Sequence, residues 1–146
     1  MIYCETPANP TNTLVDLEAV VRLKKQLESR LEKTVIMAVD NTYLGPIWQK
    51  PLEFGADLVC YSATKFLNGH SDVIAGAVMG SREAIGPVKG LRTFLGGMIA
   101  PYTAWLLTRS LETLHVRMNY QTENAQRLAQ FLEGHSKVKK VLFPGL

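Results

Sequence analysis

The stretch Tyr61-Ser62-Ala63-Thr64-Lys65-Phe66-Leu67-Asn68-Gly69-His70-Ser71-Asp72 places one lysine just beyond a short apolar run, with the hydroxyls of Ser62 and Thr64 immediately before it. The apolar run, Leu58 to Tyr61, has the length and composition of a buried strand. Upstream, Thr34 to Val39 is a second apolar run, rich in β-branched residues, and it ends at Asp40. Continuous runs of this kind are strands of a sheet covered on both faces. Between the two lie a loop with Gly45 and Pro46 and a short segment, Pro51 to Phe54, closed by Gly55.

Residues 1–5 read as another strand. Pro7 and Pro10, on either side of Asn9, then hold the chain in an extended turn, because proline fixes its own φ and restricts its predecessor. From Asp16 the residues Leu17, Val20, Val21, Leu27 and Leu31 recur at helical spacing. Asp16 suits the positive end of that helix. Downstream, Ala75 to Met79 is a further strand ended by Gly80. The order strand, helix, strand, short helix, strand predicts an α/β fold with a mainly parallel sheet.

The second half differs. Arg82 to Phe94 is at best a weak helix, interrupted by Gly86, Pro87 and Gly90, and Leu95-Gly96-Gly97 breaks the chain. Pro101 opens a long helix with the stripe Ala104, Leu107, Leu111, Leu114 and Met118, continued by Ala125, Leu128, Ala129 and Leu132 up to Gly134. Val138 to Phe143 is expected to be a last short strand.

The composition is that of a folded globular chain. Over 146 residues, 47% are hydrophobic and 20% charged, with a net charge of +3. No basic run with interleaved aromatics points to a nucleic-acid partner. No apolar stretch reaches the ~20 residues of a membrane span. The start lacks the basic and apolar parts of a secretory signal, so the cytoplasm is the expected location. Cys4 and Cys60 are too few for a four-cysteine metal site and read as buried free thiols of a reducing compartment. Met1-Ile2-Tyr3-Cys4 opens directly as a strand and Phe143-Pro144-Gly145-Leu146 closes just after one, which reads as a piece of a larger domain.

Open α/β sheets bind ligands at the carboxyl ends of their strands. Asp40 and the segment Ser62 to Lys65 both fall there. Either alone is ordinary: an acid after a strand often caps a turn, and a lysine there is usually a solvated charge. Together they are the set that pyridoxal phosphate requires. An amine forms the imine, a carboxylate keeps the pyridinium nitrogen protonated, and hydroxyls bind the phosphate. The amine must be partly desolvated to be neutral, and the end of a buried strand offers that environment. Competing readings are weaker. His70-Ser71-Asp72 carries the letters of a hydrolase triad, but adjacent residues do not stack into the relay and no Gly-x-Ser-x-Gly elbow is present. Gly69 and Gly76 do not form a phosphate loop. His115 and His135 read as surface residues, and Trp105 as a packing residue.

The sequence resembles the central part of the large domain of the pyridoxal-phosphate enzymes of cysteine and methionine metabolism, the cystathionine γ-synthase, cystathionine γ-lyase and methionine γ-lyase group. The likeness rests on Glu5-Thr6-Pro7-Ala8-Asn9-Pro10, Val39-Asp40-Asn41-Thr42, Gly55-Ala56-Asp57-Leu58-Val59, Ser62-Ala63-Thr64-Lys65 and Gly69-His70-Ser71-Asp72. Ala104 to Leu107, Leu111 to Leu114, Asn124-Ala125 and Phe143 to Leu146 also fit, so it covers essentially the whole chain.

The resemblance implies an aspartate-aminotransferase-like fold of type I. Residues 1–100 would be the central part of the cofactor-binding domain, and 101–146 a helical region leading toward a small C-terminal domain. It implies pyridoxal 5'-phosphate as cofactor, with Lys65 as the catalytic aldimine lysine and proton shuttle. Asp40 would sit on the ring nitrogen, Ser62 and Thr64 on the phosphate, and Asn9 near the ring. Glu5 belongs to the same motif without an assigned role. The implied reaction is γ-elimination or γ-replacement on a sulfur amino acid or homoserine ester, in a homodimer or homotetramer. The family's phosphate-capping loop and ring-stacking aromatic would lie before residue 1, and its carboxylate-binding arginine after Leu146. Arg92 and Arg109 do not match that arginine. The alternative expectation is a catalytically silent remnant that serves as a cofactor-binding or subunit-contact module.

Overall fold

The computed structural model describes all 146 residues. Strand β1 (Ile2–Glu5) leads through the Pro7–Pro10 turn to helix α1 (Leu17–Leu31). Strand β2 (Met37–Asp40), the short helices α2 (Gly45–Trp48) and α3 (Pro51–Phe54), strand β3 (Leu58–Ser62) and strand β4 (Gly76–Gly80) follow. Three helices complete the chain: α4 (Arg82–Leu95), α5 (Pro101–Leu111) and α6 (Leu114–Glu133).

The four strands form one sheet in the order β1-β2-β3-β4. β1, β2 and β3 run parallel, and β4 returns antiparallel along β3. The parallel register aligns Glu5 with Asp40, and Asp40 with Cys60, so three strands finish side by side. The fold is therefore α/β, with a mixed sheet.

Two apolar clusters hold it. Leu17 of α1 packs with Met37, Val39 and Ala56, joined by Val20 and Val21. Val59, Tyr61, Ala63 and Leu67 pack with Leu114 and Met118 of α6. Helix α1 is capped as expected, its Asp16 carboxylate accepting the Ala19 N–H at 3.0 Å. Its apolar stripe fades toward the C-terminus, where Leu31 is exposed.

The structure departs from the sequence expectations in three places. Arg82–Leu95 is a continuous helix despite Pro87. Ser81 caps its start, accepting the Ala84 N–H, and Gly96 ends it in a left-handed conformation with φ 83°. Such caps favour a helix against weak interior propensity. Second, the apolar stripe that runs from Pro101 to Gly134 without a visible break is divided between two helices at Glu112–Thr113. There the Ser110 carbonyl accepts from the Thr113 N–H and from Arg117 instead of continuing the helical ladder. Third, 138–143 is not a strand. A strand needs an edge to pair with, and this segment's link to the body is one bond, Asn12 Nδ2 to the Leu142 carbonyl at 3.3 Å.

Candidate functional site

Parallel strands that end together leave a hollow beyond their carboxyl ends. A cleft of about 960 Å³ occupies that place. Asn9, Asp40, Ser62, Thr64 and Lys65, all singled out from the sequence, line it, and so does Glu5. They come from the last residues of β1, β2 and β3 and from the connections after β1 and β3.

The hydrogen bonds at these strand ends form one connected network. One oxygen of the Asp40 carboxylate, Oδ1, accepts the Thr42 N–H at 3.0 Å and the Thr42 hydroxyl at 2.6 Å. The other, Oδ2, is 3.4 Å from the Tyr3 hydroxyl, a weak contact that leaves it free for a better donor. The Thr42 hydroxyl also accepts the Ser62 N–H at 2.8 Å, which ties the end of β2 to the start of the lysine turn. Just behind, the fully buried Asn41 donates to the carbonyls of Gly45 and Gln49 and to the Tyr61 hydroxyl.

The turn after β3 is held from several sides. Thr64 Oγ1 accepts the Ala75 N–H at 3.0 Å and lies 3.3 Å from the Ala75 carbonyl. Buried Asn68 donates to Asp72 at 2.8 Å. His70 Nδ1 lies 2.6 Å from the Asn68 carbonyl and 3.2 Å from Ser110 Oγ of α5. His70 and Asp72 are thus parts of a structured loop, not a relay. On the other side of the cleft, the Asn9 N–H donates to Glu5 Oε1 at 3.3 Å.

Lys65 is exposed. The desolvation expected around it is not supplied by the residues of this chain. Desolvation acts instead on two groups near Asp40. It raises the Tyr3 phenol above its ordinary value, with the Asp40 carboxylate adding to the effect. Burial raises the Cys60 thiol, again with Asp40 adding.

Thr42 was in a quoted motif without a role, and the structure makes it the link between Asp40 and Ser62. A threonine two residues after a strand-ending aspartate, placed to close a side-chain turn, was the available signal. Gln121 of α6 also lines the cleft. It lies so far along the chain that no local pattern points to it.

These residues match a known family along their whole length. The model of the "Cys/Met metabolism PLP-dependent enzyme" family matches residues 1–146. The chain belongs to that family. An L-methionine gamma-lyase of Porphyromonas gingivalis is 46% identical over 148 residues, which take in 100% of this chain and 36% of the relative. A cystathionine beta-lyase of Coxiella burnetii is 45% identical, across 100% of this chain and 37% of the relative. Among solved structures, cystathionine gamma synthase from Xanthomonas oryzae pv. oryzae, in complex with aminoacrylate and cysteine, superposes with a TM-score of 0.91 at 42% identity. That match takes in 99% of this chain and 36% of the solved one. The chain thus spans about a third of the length of the relatives it matches. The family's cofactor is pyridoxal phosphate. No helix is long and apolar enough to cross a membrane.

Proposed function

We propose that this chain holds pyridoxal phosphate in the strand-end cleft, as part of an enzyme that eliminates or replaces the γ-substituent of a sulfur amino acid or homoserine ester. The convergence of Asn9, Asp40, Ser62, Thr64 and Lys65 on one cleft is the observation that carries this reading. The donor set suits the group chemically: an amine for its aldehyde, a carboxylate for its ring nitrogen, and hydroxyls for its phosphate.

Bound pyridoxal phosphate supplies a sink for the electron pair left when the substrate's Cα proton departs. The chain's residues do the rest. Lys65 Nζ would hold the cofactor through its aldehyde carbon until the substrate's amine displaces it, and as a free amine it would then take the Cα proton and relay protons between the substrate carbons. Asp40 Oδ2 would accept the ring N–H and keep that proton in place, while Thr42 holds the other oxygen. None of the turn's hydrogen bonds uses the Ser62 hydroxyl, so it can donate to a phosphate oxygen. Thr64 Oγ1 already accepts the Ala75 N–H, and by giving up its longer 3.3 Å contact it would donate to the same phosphate. Asn9 lines the same cleft and would lie near the ring.

The exposure of Lys65 favours a second reading for these residues taken alone, in which they bind the cofactor without turning over substrate. Of the relatives named above, two are by name a gamma-lyase and a beta-lyase and the third is a gamma synthase. Cα exchange precedes either cleavage, so it tests the shared step. With methionine and pyridoxal phosphate in D2O, the polypeptide carrying this chain exchanges the Cα proton. Asp40→Ala lowers that rate by about two orders of magnitude or more, while borohydride reduction still labels Lys65 with the cofactor. Exchange at an undiminished rate in Asp40→Ala would contradict the role of Asp40. No exchange by the wild type, with Lys65 labelled, would leave the second reading.

A further inference from the structure

Arg117 is not used by the chemistry above, yet its side chain crosses from α6 into the lysine turn. Its Nη1 donates to the Phe66 carbonyl at 3.0 Å, on the residue directly after Lys65. Its Nη2 donates to the Ser110 carbonyl at 2.9 Å, and its Nε to Thr113 Oγ1 at 3.0 Å. One planar guanidinium thus joins three separate acceptors, a geometry that a lysine ammonium does not reproduce.

The surroundings are shaped to this contact. Gly69 has φ +76°, and a Cβ there would fall inside the guanidinium. The Gly69 N–H returns to the Lys65 carbonyl at 2.6 Å, so the same turn closes on the lysine. The break between α5 and α6 frees the Ser110 carbonyl that Arg117 occupies. Ser110 itself is buried, and its hydroxyl reaches Asn68 Oδ1 at 3.4 Å and His70 Nδ1 at 3.2 Å. Partial burial lowers the arginine's pKa from its ordinary value.

We propose that Arg117 is a positioning residue for Lys65. It fixes the peptide after the lysine and so limits where the amine can swing, acting through Phe66 and the Gly69 turn without touching the cofactor. The proposal rests on the reading of Lys65 as the cofactor's lysine. A misplacement on the ångström scale costs a reaction of this kind up to about a hundredfold. The effect of losing one of several tethers is expected to be nearer tenfold.

The test compares the wild-type chain with Arg117→Met, Arg117→Lys and Thr113→Val. Pyridoxal phosphate is added, the rate of borohydride-fixed labelling at Lys65 is followed, and visible circular dichroism of the bound chromophore is recorded. Arg117→Met is expected to label about tenfold more slowly and to lose most of the visible dichroism at unchanged far-ultraviolet helix signal. Arg117→Lys recovers only part, and Thr113→Val, which removes one brace, gives a smaller loss in the same direction. Rates and dichroism within twofold of wild type in Arg117→Met would overturn the proposal, as would an unmoved Thr113→Val if Arg117→Met does not fold. Deuterium exchange without cofactor separates the two readings. About tenfold faster exchange at Gly69 in Arg117→Met supports the clamp even if wild-type Lys65 takes no label, a result that would overturn the cofactor reading alone. Equal exchange in both proteins overturns the clamp.

Discussion

Two segments of similar length follow the last two strands, and they are built in opposite ways. The turn after β3 is irregular, yet Thr64, Asn68, His70 and Arg117 bond it to its own backbone, to the approach to β4 and to α5 and α6. The segment after β4 is a regular, capped helix, yet α4 buries no residue at all. Phe94 and Leu95 at its end are almost fully exposed. Regular secondary structure and structural definition are therefore separate properties. The chain concentrates side-chain bonding in the turn that carries Lys65, and leaves a well-capped helix resting mainly on the sheet edge at β4.

Mutations can break or sharpen that contrast. The largest effect is expected at Met118, 3% exposed among Tyr61, Leu67 and Leu114 beneath the lysine turn. Met118→Ala removes packing and leaves a void, which costs about 2–5 kcal/mol. Urea unfolding followed by circular dichroism measures it, and a cost below about 1 kcal/mol would mean that α6 does not support the turn.

Tyr61 gives a smaller and pH-dependent effect. Burial raises its phenol above the ordinary 10.0, against a smaller lowering by the Asn41 hydrogen bond. The folded state therefore holds the proton where the unfolded chain has released it. The corresponding stability is complete below the unfolded value and is lost as pH rises through the folded one. Tyr61→Phe is expected to cost about 1 kcal/mol at neutral pH, through the lost Asn41 bond. It should also flatten part of the decline above about pH 10. The raised Tyr3 phenol and the raised Cys4 and Cys60 thiols keep the rest of the alkaline decline. An alkaline limb identical in wild type and Tyr61→Phe would contradict the burial argument.

The smallest effect lies in α4 and has the opposite sign. Gly90 is helical, and a Cβ there meets nothing within 4 Å. Gly90→Ala should stabilise the chain by about 0.5–1 kcal/mol, read as a raised thermal midpoint. A loss of stability would show that this helix is more closely packed than the contrast allows.

The same contrast explains what could be read from the sequence. Asp40, Ser62 and Lys65 were legible because buried parallel strands announce themselves as apolar runs, and their ends share one side of the sheet. Their joint placement on the cleft needed no long-range knowledge beyond that. Arg117 and Gln121 were not legible, because their position depends on how α6 docks and on the break at Glu112–Thr113. The helical stripe ran through that break without interruption, since Leu111 and Leu114 keep the spacing whether or not the ladder continues. Interior Gly86, Pro87 and Gly90 argued against α4, but the caps at Ser81 and Gly96 prevailed. Apolar residues at 138–143 suggested a strand and could not reveal that the segment pairs with neither edge of the sheet.

The assignment of Lys65 as the cofactor's lysine is open to one direct measurement. The folded chain is incubated with pyridoxal phosphate, reduced with borohydride and digested, and the modified peptide is sequenced by mass spectrometry. The pyridoxyl group is expected on Lys65 and to vanish in Lys65→Ala. A folded chain carrying the label on another lysine, or none, would contradict it.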